Sequence, residues 1–139
     1  MEKPTKVEIL IGGSIIVALF LAYQNGLFSP SRTRAIDPTT YGNVTIQANA
    51  LTNKANGIRT LCMSSANWTS STAYQNMLEE LKDMSDANLI ALANEYGRIN
   101  ANKDYPTLRE MIYSVSMPFN WTAGNLRDEQ VNRLSGLGL

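Results

Sequence analysis

The side chains in this sequence that could carry chemistry are a few carboxylates. Glu79 and Glu80 are adjacent, Asp83 and Asp86 follow closely, and Glu95 stands apart. Successive helical residues point about 100° apart, so Glu79 and Glu80 do not converge on one substrate atom. Glu79 and Asp83 fall on one face beside Lys82, the pattern of a solvated helix surface. A single glutamate acid on a helical domain can support muralytic chemistry, and Glu79, Glu80 and Glu95 are the candidates for it. Nothing selects among them. The chain has no histidine, so the commonest general base and transition-metal ligand is missing. The single cysteine, Cys62, can form neither an internal disulfide nor a zinc site alone, and it reads as a small apolar core residue. No phosphate-binding loop, nucleophile elbow or H-E-x-x-H motif occurs. The expectation is a non-enzyme with no catalytic, cofactor-binding or metal residues and no small-molecule substrate.

Two other groups could mediate contacts. Trp68 and Trp121 each lie in an Asn-Trp-Thr triplet. They plug the ends of a core, or they are exposed anchors for a protein or lipid headgroups; in the second case they are the candidate partner contacts. The triplets beginning at Asn43, Asn67 and Asn120 also fit the glycan-acceptor pattern. With 14 Asn and 11 Thr in the chain, chance accounts for them, and the threonines read as helix caps.

The elements that would position these residues differ along the 139-residue chain. Charge balances at 12 basic against 12 acidic side chains. No basic stripe exists to neutralise phosphates, so nucleic acid is not an expected partner. From Ile9 to Ser31 no residue is charged. Ile9 to Phe28 supplies about 20 residues, or roughly 30 Å of helix, which is enough to cross a bilayer. The expected span is carried by Ile9, Ile11, Ile15, Ile16, Leu19, Phe20 and Tyr23, with Tyr23 placed as an interfacial aromatic. A cleaved signal peptide would need a small-residue cleavage site, and none convincing follows the run. A buried helix would leave an almost all-round apolar surface for a small domain to cover. Ser14, Ala18 and Ala22 recur every fourth residue and are the candidate helix-association stripe. Lys3 and Lys6 on one side nearly tie with Arg32 and Arg34 on the other, so the orientation stays open.

The domain plan is a tail and anchor over 1–28, an extended linker over 29–42 rich in turn formers, and a helical domain over 43–139. In that domain Val44, Ala48, Leu51, Ala55, Ile58 and Cys62 form one apolar stripe of a helix of about 20 residues. A second helix covers Thr72 to Lys82, with Tyr74, Met77, Leu78 and Leu81 inward. Ser85 caps a third helix, which buries Leu89, Leu92, Ala93 and Tyr96 and ends at Gly97. A fourth starts near Pro106, with a Thr107–Glu110 capping box, inner residues Leu108, Met111, Ile112 and Val115, and a stop at Pro118. A fifth begins around Asn125 with Leu126, Val131 and Leu134, and the tail from Ser135 frays. The fold class is therefore all-α: one N-terminal transmembrane helix, then a compact bundle of about five short helices.

The segments Asn67-Trp68-Thr69, Tyr74 to Leu78, Met84 to Gly97 and Tyr105 to Ile112 resemble one annexin-type repeat. The resemblance covers about residues 44–136 and implies five short helices, with the third lying across the other four. Calcium binding in that family implies a glycine-rich loop before the second helix and an acidic residue near the end of the fourth. Here those places hold Asn67-Trp68-Thr69-Ser70 and Ser114, with Glu110 a turn away, so no calcium site is expected. The overall plan also resembles small membrane proteins of icosahedral phages with an internal lipid layer. The expectation is a single-pass structural or interaction protein of a virion internal membrane or a bacterial inner membrane, with lipid and neighbouring protein subunits as partners. The alternative is a membrane-anchored peptidoglycan hydrolase with one catalytic glutamate.

Overall fold

The computed structural model describes residues 35–64, 72–116 and 120–139. Among these residues the chain is all-helical, with no strand: α1 Ala48–Met63, α2 Thr72–Asp83, α3 Asp86–Ile99, α4 Leu108–Tyr113 and α5 Trp121–Gly136. The expected stripes are buried except at Val44, Ala48 and Val131, which are half-buried against the core. Leu51, Ala55, Ile58 and Cys62 of α1 meet Tyr74, Met77, Leu78 and Leu81 of α2 and Leu108, Met111 and Ile112 of α4 in one core. Each large apolar side chain there contributes about 1.5–3 kcal/mol on burial.

α3 organises the domain. Ser85 caps it by accepting from Asn88 N–H, and every residue from Leu89 to Gly97 is buried. A helix apolar on one face would leave half its circumference wet, whereas one surrounded by other elements must be apolar nearly all round. Its start is tied to the end of α5 through Asp86–Arg133, and its second half to the start of α1 through Glu95–Thr52. α2 and α5 run parallel. Asn120 meets Gln75 at their starts, and Arg133 reaches the carbonyls of Leu81 and Met84 at their ends.

Several boundaries differ from the sequence reading. α1 begins at Ala48, because Val44 and Ile46 pack on the core from a non-helical run. Gly97 does not end α3; it is buried inside the helix, which runs on until Asn100 caps it through its backbone N–H and its side chain, both bonded to Tyr96 O. The Thr107–Glu110 capping box is present, but α4 starts at Leu108 rather than Pro106 and closes at Ser114. Pro118 lies outside the described residues. α5 starts at Trp121, four residues early, because the Asn120 side chain accepts from Ala123 N–H. In the sequon at Asn120 it is thus the asparagine, not the threonine, that caps.

The tail does not fray. Gly138 N–H donates to Ser135 O and Leu139 N–H to Leu134 O, with Gly138 at φ 85°, the left-handed C-terminal closure that glycine permits. Leu139 is buried as a result. Residues 35–42, expected to be part of an extended linker, are docked instead. Pro38–Tyr41 form a 3-10 turn capped by Asp37, and Ala35 and Pro38 are buried. The Asn94 side chain brackets Ile36, accepting from its N–H at 3.3 Å and donating to its carbonyl at 2.7 Å. We call this segment the collar. It lies along α3 from Asn94 back to Ala87, which sits 3.7 Å from where a Cβ on Gly42 would be.

Candidate interaction surface

The candidate carboxylates are each engaged separately. Glu79 accepts from Gln75 one turn earlier on the exposed side of α2. Glu80 pairs with Lys54 of α1 at 2.6 Å. Glu95, its side chain only 2% exposed, accepts from Arg98 at 2.7 and 2.8 Å and from Thr52 Oγ1 at 2.5 Å. A groove of about 580 Å³ runs between α1 and α2, walled by Gly57, Ile58, Leu61, Met77 and Met84, with Leu92 and Glu80 also on its lining. Of the three glutamates only Glu80 borders it. Among the described residues no group of three or more His, Cys, Asp or Glu is placed to hold a metal. Glu110 is taken up by its capping box.

Cys62 is buried as the sequence suggested. Burial pushes its thiol up from an ordinary 9.0 to about 12, and Tyr74, beside it, is raised as well, by burial first and then by Cys62. The Tyr74 hydroxyl donates to Ile112 O at 2.7 Å. Both groups hold their protons more tightly folded than unfolded. The stability they contribute is therefore complete below the unfolded thiol value and is lost as pH rises through the folded one. Cys62 is expected to stay unreactive to a thiol-specific reagent until urea unfolds the domain. Rapid labelling in buffer would contradict this.

The two ends of the domain are unlike each other. At one end α1 and α4 finish and α2 and α5 begin. There Trp121 is 82% exposed and Tyr113 is 62% exposed. Trp121 is thus a surface residue and not a core plug; Trp68 lies outside the described residues. Arg127 sets its guanidinium 5.3 Å from the Tyr113 ring centre, donates to Val115 O at 2.7 Å, and is paired with Asp128 at 3.0 Å. The result is a pre-set Trp, Tyr and Arg surface of little net charge, the residue types that dominate protein contact sites. Tyr113 was missed in the sequence. Its signal was an aromatic outside the stripe of Leu108, Met111 and Ile112. The opposite end holds the collar, α3 and the C-terminal closure, and it is where the chain arrives from residue 34.

No protein-family model, curated protein or solved structure matches the chain. Among the described residues no helix is long and apolar enough to cross a membrane. The expected span at Ile9, Ile11, Ile15, Ile16, Leu19, Phe20 and Tyr23 and the stripe at Ser14, Ala18 and Ala22 lie outside the described residues.

Proposed function

We propose that this chain is a non-catalytic, membrane-anchored structural protein in which residues 9–28 sit in lipid and the helical domain meets a neighbouring protein. In a membrane-containing virion it would link the internal lipid layer to the protein shell. The observation that carries this reading is the polarity of the domain. The chain arrives at the collar end, while Trp121 and Tyr113 are exposed at the other. A 16-residue α5 separates the two ends by about 24 Å. Exposed aromatics near the collar would serve the anchor's own bilayer; aromatics at the far end face whatever lies beyond it. The uncharged run from Ile9 to Ser31 supports the anchor. The course of α3 from the end of α5 to the start of α1 supports an annexin-type repeat as the domain's plan.

Alkaline extraction of membranes from cells expressing the full chain tests the anchor. The full chain is expected in the pellet, and a chain lacking residues 1–34 in the supernatant. Release of the full chain would overturn the reading. A zymogram with the full chain in detergent is expected to show no clearing. A clearing band abolished by Glu80→Gln or Glu95→Gln would establish the hydrolase instead.

A further inference from the structure

The collar end has a second consequence, which rests on the reading of residues 9–28 as a span. Only residues 29–34 separate Phe28 from Ala35, and six residues reach at most about 20–22 Å when fully extended. Ala35 is not a swivel. It is buried, Ile36 is bracketed by Asn94, Pro38 is buried, and a Cβ on Gly138 would come within 3.1 Å of Ile36 Cδ1. The first fixed point of the domain is therefore held within one short connection of the lipid, and it is the collar that arrives first.

The chemistry of the collar surface fits that position. Tyr41 is 44% exposed, with an apolar ring and a hydroxyl that suit the boundary between acyl chains and water. The Asp37 carboxylate that caps the same turn is partly screened by bonds from Thr39 N–H at 3.0 Å and Thr39 Oγ1 at 2.7 Å. The Thr40 hydroxyl donates to Asp37 O, so neither threonine hydroxyl of the turn needs a protein partner. Arg32 and Arg34 precede Asp37 in sequence, so this stretch of sequence carries charges of both signs. A zwitterionic headgroup layer accommodates that mixture.

We propose that the collar face is a lipid-headgroup contact surface, with Tyr41 as its interfacial anchor, and that the Asn94 clamp on Ile36 fixes the domain upright on the bilayer. The domain is then a rigid post and not a body on a loose tether. Its aromatic end is held at a set height and direction, which an ordered contact with a second layer requires.

Tyr41 and Tyr105 give an internal control, because both are 44% exposed. The full chain is reconstituted into phosphatidylcholine nanodiscs and footprinted with hydroxyl radicals, and the modification rates of the two tyrosines are read by mass spectrometry. Tyr41 is expected to react several-fold more slowly than Tyr105, with Tyr113 and Trp121 fully reactive. Equal rates for Tyr41 and Tyr105 in discs that carry the chain would overturn the headgroup surface and leave the span intact. Failure of the chain to enter discs would remove both. Protection that appears only at several copies per disc would assign the face to a second copy and overturn the proposal. Asn94→Leu, close in size and checked for folding by circular dichroism, is expected to enter discs yet lose the Tyr41 protection. Protection that survives this change would overturn the clamp.

Discussion

Replacing Arg98 with methionine is expected to destabilise the domain by about 3 kcal/mol at neutral pH, the cost of leaving a buried charge without its partner. Glu95 is the charge in question. Its side chain lies inside the domain and is satisfied by two bonds from Arg98 and one from Thr52. The same hydrogen bonding raises the Arg98 pKa against the opposing effect of burial, so the guanidinium stays charged throughout. Methionine keeps the aliphatic bulk and removes the cation. Adding Glu95→Gln to the methionine variant should restore most of the loss at neutral pH, since an amide accepts from Thr52 without carrying charge. Urea unfolding followed by circular dichroism measures all three. A small loss that Glu95→Gln does not relieve would mean that water reaches Glu95 and that the pair is a surface one.

The contrast between that pair and the helix stripes explains what could be read from the residues alone. Leu51, Ala55, Ile58 and Cys62 on α1, or Tyr74, Met77, Leu78 and Leu81 on α2, are visible because burial imposes a 3.6-residue period on neighbours in sequence. The Ser85 cap and the Thr107–Glu110 box are visible because both partners lie within three residues. The collar was not, because Pro38, Thr39, Thr40 and Gly42 look like a linker until Asn94, 58 residues from Ile36, closes on it. Gly97 reads as a stop, and packing on α3 overrides that local preference. The same distance problem hides Arg59, which leaves α1 to bond the Tyr96 hydroxyl and the carbonyls of Asp104 and Tyr105. The candidate surface was half visible. Trp121 stood out by type, but whether it faced core or solvent depended on Asn120 starting α5 early and turning the indole outward.

Arg133 is the other long-range hub, and Arg133→Ala is expected to cost about 2–3 kcal/mol, because several charge-assisted bonds to backbone carbonyls are lost together. α2 ends at Asp83, and just past its end Met84 N–H donates to Leu81 O at 3.1 Å. Arg133 adds side-chain donors to the Leu81, Lys82 and Met84 carbonyls from α5. Nη1 donates to Leu81 O at 3.0 Å, Nη2 to Met84 O at 2.7 Å, and Nε and Nη2 fork onto Asp86 at the start of α3. One side chain thereby fixes the junction of three helices. The carbonyl contacts are the part-buried ones, while Asp86 is half exposed and its ion pair is screened. Asp86→Asn should therefore cost no more than about 0.5 kcal/mol. Arg133→Lys should recover less than half of the alanine loss, since one ammonium cannot span Leu81, Met84 and Asp86 at once. The order of urea midpoints, with Asp86→Asn above Arg133→Lys and Arg133→Ala lowest, follows if capping dominates. Were Asp86→Asn to fall as low as Arg133→Ala, the ion pair and not the carbonyl cap would be what joins α5 to the α2–α3 corner. That corner matters beyond its own stability. Five residues after Arg133, Gly138 closes on Ile36, so loosening the end of α5 also loosens the seat of the collar.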